Sequence, residues 1–402
     1  MSAKNIYVSA QAEGEPLEVW SEGYLDIHHI NTGCGNAAFC ILPDGTTLLI
    51  DAGANNPNSE RHVAPRPNSS KTPGAWIADY ILRHRPPNRV AIIDYFLATH
   101  FDKDHIGGVF KTKSTNADYY LTGISEVAEY IPVNKIIDRG YPDYNTVKPA
   151  ESETHFYNYL NFIEYQKTLN PDLMERFRVG ANNQFVLKYD TEAAYAGKFE
   201  IRNLIANGVM WTGTETQTTS LFPDLNGLSN SDLPEENTLS CGIKLTYGKF
   251  NYFNAGDLTG YPKPGRPQWH DLETPLAPIV GKVEVCNVNH HGYNNATNDL
   301  FIKTLAPLVF VIQASDALHP NHSTLFRMLA KQLYADARDI FATNLHPAAK
   351  IVIGDLTGQM KSAQGHIVVR VSPGGSDFMI YIIDDSNTGY TVNAAYGPYF
   401  CK

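Results

Sequence analysis

From residue 23 onward, short apolar runs alternate with turn residues. LDIHHI, AAFCIL and TTLLIDAG are separated by Thr32-Gly33-Cys34-Gly35 and Pro43-Asp44-Gly45, which predicts hairpin-linked strands over 23–55. The polar stretch 56–74, rich in Pro, Asn and Ser, predicts a loop. A helix is expected from Ala75 to Arg83, stopped by Arg85-Pro86-Pro87. Val90 to Leu97 is almost continuously apolar, as a strand buried on both faces would be, and it runs into THFDKDHIGG. ISEVAEYI predicts a short helix, NKIID a short strand, and Glu153 to Lys167 a longer helix. Residues 180–235 are turn-rich and read as an insertion or an ornamented edge.

Two alternating strands are expected within Thr238–Asn254 across the turn Tyr247-Gly248, ending in AGDLTG. Strands follow in VEVCNVNHHG and in Leu308–Gln313, then a helix from Ser323 to about Ala337. The tail GHIVVRVSPGGSDFMIYIIDD predicts a hairpin around Pro373-Gly374-Gly375. There is no internal repeat or low-complexity tract. Two mixed sheets with helices outside them account for this order.

Composition narrows the class. The 402 residues permit one large domain or two, on a prior of about 150 residues per domain. Hydrophobic residues at 43% with 18% charged exclude a disordered chain. The net charge of −10 gives no overall positive field, so contact with nucleic acid would have to be local. Five scattered cysteines without a CxxC pair argue against a disulfide framework or a cysteine zinc site. No basic, apolar leader opens the sequence and no run of about 18 apolar residues interrupts it. The expectation is a soluble protein of the reducing cytoplasm, without a membrane partner.

The densest chemistry is His100-Phe101-Asp102-Lys103-Asp104-His105, followed by Ile106-Gly107-Gly108. Four side chains able to ligate a metal fall within six residues just after a buried strand. Imidazole with carboxylate suits a divalent cation, and the glycines allow the tight backbone that turns His105 back. A solvated acidic turn is the competing reading. Asn289-His290-His291-Gly292 ends another apolar strand; adjacent histidines do not easily reach one ion together, so one ligates while the other lines the pocket. Asp257 and Asp51 each end a strand, and singly each reads more readily as a turn or capping residue. His319-Pro320-Asn321-His322 precedes a helix that Asn321 or Ser323 can cap, which leaves the two histidines as functional candidates.

In chain order these features resemble the metallo-β-lactamase superfamily, an αββα sandwich with a dinuclear metal site along one edge. The HxHxDH motif falls on His100, Asp102, Asp104 and His105, with Asp102 where the second histidine usually stands. The resulting HxDxDHxGG looks like the hydrolase domain of ComEC-type competence proteins. The Gly33–Asn36 turn before LLIDAG, IIDRGYPDY and the GHIVVRV strand also match. The resemblance covers about 23–375 and implies one domain over 1–402, with an insertion at about 141–235 and a C-terminal β tail. It implies that Asp104 and His105 hold one ion with His290 as a further ligand. His100 and Asp102 would serve the other ion, Asp257 would bridge the two, Asp51 would orient the cluster, and His291 would line the pocket. The family usually supplies another histidine before the Gly256-Asp257 strand end; His155 alone stands there, in a helical stretch. Aspartate in place of histidine hardens the site toward Mn²⁺ or Mg²⁺, with Zn²⁺ still open, as one ion or two.

The expected function is a metal-dependent hydrolase in which a metal-bound hydroxide attacks a phosphodiester, that is, a phosphodiesterase or nuclease. Catalytic roles fall on Asp104, Asp257, His319 and His322: Asp257 positions the nucleophile, and His319 or His322 donates a proton or binds an anionic oxygen. Lys103 is an electrostatic helper or a solvated lysine. Hydrolysis of a carboxylic ester, lactone, thioester or β-lactam is the alternative, and a non-catalytic metal-bearing binding module a second one. No Lys/Arg stripe is visible, since Arg83, Arg85 and Arg89 read as a helix end. This favours a small or nucleotide-type phosphodiester over long DNA.

Overall fold

Antiparallel strands joined by tight turns give way, in each half of the chain, to parallel strands joined by helices. The computed structural model describes residues 13–33, 35–56, 58–144 and 154–402; Cys34 of the first predicted turn and Glu153 of the predicted helix lie outside these. In the first sheet, Val392–Phe400, Asp377–Ile383, His366–Val371, Leu25–His29, Ala38–Ile41 and Thr47–Ile50 pair antiparallel in that order. Tyr95–Leu97, Ile136–Asp138 and Met174–Arg176 then continue it in parallel. In the second sheet, Thr218–Ser220, Val209–Trp211, Phe199–Ala206, Gly242–Tyr247 and Phe250–Asn254 are antiparallel. Val285–Asn287, Val309–Ile312 and Asp339–Ala342 are parallel.

A parallel step needs a crossover long enough to return the chain, and a helix supplies each one. Helices Pro73–His84, Ile124–Tyr130 and Thr154–Leu169 serve the first sheet; Glu273–Val280, Asp299–Leu305 and His322–Leu329 serve the second. Alternation along the strands sorts the core into three layers. Leu25, Ile27, Leu48, Ile50 and Leu97 meet Ile243, Leu245, Tyr252, Val285 and Val309 between the sheets. Phe39, Leu49 and Phe96 face the first helix set, with Ile77, Ile81 and Phe162. Phe253, Phe310 and Ile312 face the second, with Leu276, Phe301 and Leu325. The architecture is a four-layer αββα sandwich, as the resemblance implies. No described helix is long and apolar enough to cross a membrane.

Three expectations change. Phe199–Ala206, inside the stretch read as turn-rich, is an eight-residue strand integral to the second sheet. Its alternation is masked by buried Asn203, whose amide donates to Arg178 O at 2.9 Å and Gln184 Oε1 at 2.7 Å. The helix expected to reach Ala337 ends at Leu329, and Asp339–Ala342 is a strand. The Arg338 guanidinium caps that helix end through Met328 O and Ala330 O at 3.3 and 3.1 Å. Of the apolar run Val90–Leu97, Tyr95–Leu97 is regular strand, and Ile93 makes a single bridge to Val133.

Candidate metal centre

Loops at the carboxyl ends of parallel strands share one rim, where the ligand-bearing segments of open α/β sheets converge. Asp51 follows Thr47–Ile50, His100 follows Tyr95–Leu97, Asp257 follows Phe250–Asn254, and His291 follows Val285–Asn287. Each sheet thus supplies half of one cluster. Asp257 sits at its middle. Its Oδ1 lies 3.2 Å from His105 Nε2, and its Oδ2 lies 3.3 Å from His291 Nε2, 3.7 Å from His290 Nε2 and 3.9 Å from His100 Nε2. Asp104 Oδ2 is 3.3 Å from His291 Nε2, and Asp102 Oδ2 is 3.6 Å from His100 Nε2. Among the described residues, two triads have the spacing to hold a cation: His100, His105 and Asp257, and Asp104, His105 and His291.

The tautomers follow from the partners on the far side of each ring. His105 Nδ1 donates to Asp51 Oδ2 at 2.7 Å, and His291 Nδ1 donates to the Gln313 carbonyl at 2.8 Å. Both partners only accept, so in the neutral rings each Nε2 carries a lone pair directed at carboxylate oxygens. Acceptors facing acceptors require positive charge between them. His100 Nε2, His105 Nε2, His291 Nε2 and Asp257 Oδ1 are buried and have no hydrogen-bond partner. Because buried polar atoms are nearly always paired, four such atoms in one place mark a cation site. Without a cation, protons would meet the same demand for positive charge. Burial pulls His291 down, but Asp257 and Asp104 outweigh it and push it up to about 10. Burial also acts against His105, and Asp257 with Asp51 carries it well above the usual imidazole range. Asp257 itself is held well below the carboxylate range: burial would raise it, and the histidines overcome that.

The backbone is bent to make this cluster. Asp51, His290 and His291 have φ of 60°, 47° and 53°, in the left-handed region that non-glycine residues rarely occupy. Thr99 fixes Asp51, donating to Oδ1 from its N–H and to Oδ2 from its hydroxyl, both at 2.8 Å. Gly53 permits the closest approach: a Cβ there would lie 1.7 Å from Asp104 O, which accepts from Asn36 N–H at 2.8 Å. Gly53→Ala is therefore expected to cost about 2 kcal/mol of stability by overpacking and to lower metal content with it. Thermal unfolding and elemental analysis check both; wild-type values for the two would contradict the close approach.

The structure brings together His100, Asp102, Asp104, His105, Asp257, His291 and, behind them, Asp51. It reverses the places expected for the adjacent histidines. His291 enters the cluster, whereas His290 is engaged on both nitrogens, donating from Nδ1 to Asn295 Oδ1 at 2.6 Å and accepting at Nε2 from Asn237 at 3.1 Å. His290 instead lines the cleft outside. His319 stacks on His291, with ring centroids 4.5 Å apart at 16°, and lines the same cleft. His322 is not brought to the site: it is exposed at the start of its helix and its ring lies over Phe326. His155 lines a second cavity of about 550 Å³ on the other flank, with Asp102, Lys103 and Asp104.

Supporting residues were not visible in the sequence pattern. Buried Glu273 accepts from Asn289 Nδ2 at 2.8 Å, Thr297 N at 2.6 Å and Asn298 N at 2.7 Å, fixing the loop that carries His291; burial pushes it up to about 7. Glu236 accepts from Phe101 N at 2.8 Å and pairs with Arg139 at 2.5 Å, which anchors the His100 loop. Neither Glu273 nor Glu236 belongs to a motif or a predicted element of the sequence.

No protein family matches the chain, and no curated protein does. Among solved structures it is similar to CmlA, a diiron β-hydroxylase from Streptomyces venezuelae, at 12% identity and a TM-score of 0.40. A mutant of CmlA gives 13% and 0.41. Each comparison covers 88% of this chain and 55% of the other, so the chain spans little more than half the hydroxylase. A protein named as a metal-dependent hydrolase from Parabacteroides distasonis matches at 11% identity and a TM-score of 0.32, over 85% of this chain and 92% of that one.

Proposed function

We propose that the protein is a metal-dependent hydrolase acting on small phosphodiesters. The observation that carries this is the set of partnerless buried atoms on His100, His105, His291 and Asp257. His105, His291, Asp104 and Asp257 would hold one divalent cation; a second would lie against Asp257 beside His100 and Asp102. A bound dication supplies Lewis-acid activation of water at neutral pH and charge neutralisation at phosphorus. The hard, carboxylate-rich donor set supports Mn²⁺ or Mg²⁺ alongside Zn²⁺.

The chain's own residues do the rest. Asp51 and Gln313 O fix the tautomers of His105 and His291. His319 is kept neutral, first by burial and then by His291 and His290, and lines the cleft, where a neutral ring offers a substrate one donor or one acceptor. The preference for phosphodiesters is supported by the HxDxDHxGG resemblance and by the hardness of the site.

Metal-stripped protein given Zn²⁺, Mn²⁺ or Mg²⁺ should hydrolyse bis-p-nitrophenyl phosphate, most rapidly with Mn²⁺, and Asp104→Ala should not. Hydrolysis of p-nitrophenyl acetate alone would move the reading to carboxylic esters. Absence of metal binding would overturn the centre altogether.

A further inference from the structure

Beside the metal centre lies a cleft of about 330 Å³, within the range of small-molecule sites. Asp104 and His290 line it on the metal side, and Arg61, Lys103, Asp316 and His319 elsewhere. Arg61 comes from the polar loop after the Asp51 strand, and that loop is fastened across the cleft mouth. Ala317 N–H donates to Arg61 O at 2.8 Å, Val63 N–H to Ser315 O at 3.4 Å, and His62 forms a β-bridge with Asp316. The guanidinium is aimed as well as anchored: Nη2 lies 3.2 and 3.0 Å from Asp316 Oδ1 and Oδ2. Asp316 is buried, and its Oδ2 is also 3.8 Å from His62 Nε2. Among the described residues, Nε and Nη1 of Arg61 make no hydrogen bond, and Lys103 makes no ion pair. The Arg61 side chain is 66% exposed, so its pairing with buried Asp316 leaves the rest of the guanidinium open to the cleft it lines. A guanidinium held through Nη2, with Nε and Nη1 still unbonded, is suited to an anionic oxygen group, to which it can donate charge-assisted hydrogen bonds.

We infer that this cleft is a subsite for a second anionic group on the substrate, a phosphate or a carboxylate, with Arg61 as its recognition residue and Lys103 lending charge. The scissile phosphodiester lies at the metal centre and the second group at Arg61. The assignment rests on the hydrolase reading for the scissile group alone. It makes the substrate a compact molecule with two anionic groups, as in a nucleotide bearing a further phosphate.

The test compares p-nitrophenyl 5′-thymidylate with the same ester carrying a 3′-phosphate, using metal-loaded wild type, Arg61→Ala and Arg61→Lys. Wild type should prefer the 3′-phosphorylated ester about tenfold or more in kcat/KM, the scale of one charge-assisted contact, and mainly through KM. Arg61→Ala should bring that ratio near one, and Arg61→Lys should keep part of it. No preference in wild type, or a preference kept in Arg61→Ala, overturns the subsite. Isothermal titration with inorganic phosphate and with acetate judges it without turnover. Weaker binding in Arg61→Ala supports it, and which anion binds separates phosphate from carboxylate; equal binding in both proteins overturns it. Failure to hydrolyse either ester would refute the phosphodiester reading while the titration still decided the subsite.

Discussion

Asp257→Asn should lower kcat/KM with bis-p-nitrophenyl phosphate about a thousandfold, roughly 4 kcal/mol of transition-state stabilisation, and should empty the centre of metal at concentrations that saturate wild type. Asparagine keeps the shape and one oxygen while removing the charge. That charge faces four imidazoles, with Nε2 atoms 3.2 to 3.9 Å from the carboxylate. Asp102 provides the contrast. Its side chain is 34% exposed and lies 3.6 Å from His100 alone among the histidines, so Asp102→Asn should cost much less, about tenfold. Elemental analysis and steady-state kinetics decide. A fully loaded, fully active Asp257→Asn protein would sink the assignment, and equal losses in both variants would remove Asp257 from its central place.

The second large effect is on stability against acid. His29 and His366 are buried as neutral rings, burial holding each down to about 3 against an ordinary 6.5. His28 and His84 pack against Tyr80 beside His366 and are lowered too, again first by burial. For a histidine whose folded value lies below its unfolded one, stability is complete above 6.5. It is lost as pH falls from 6.5 toward 3, because the unfolded chain takes up protons first. A fall of this size corresponds to a ceiling of about 5 kcal/mol per ring. Glu273 opposes them: raised from 4.5 to about 7, it favours the folded state as pH drops across that window, by a smaller amount. Urea midpoints should therefore fall steeply between pH 6.5 and 4. Acid also displaces metal, so His366→Gln isolates the buried ring, and its profile should be shallower than that of wild type. Parallel profiles would show that His366 does not drive the loss.

What the sequence disclosed followed from local periodicity and spacing. The strand ends carrying Asp51, His100, Asp104, His105 and Asp257 were each marked by an apolar run followed by glycine or a polar cluster, and all of them meet at the rim. His290 and His291 are chemically identical neighbours; what separates them is a pair of left-handed residues and the reach of the Gln313 carbonyl, neither of which a linear pattern encodes. Asp339–Ala342 escaped because four residues after a helix carry no period of their own. Arg61 escaped because an arginine in a polar loop has meaning only once the 315–317 segment, some 250 residues on, lies beside it.

The pairing of Leu25 with Val371 has a consequence for synthesis on the ribosome. The flank of Leu25–His29 has no partner until His366–Val371 has been synthesised. Throughout that interval the nascent chain carries an unpaired, wholly buried-type strand at its edge, the kind of surface that recruits other chains. Chains ending before residue 366 would therefore be expected to associate through that edge, which His366–Val371 covers in the folded protein.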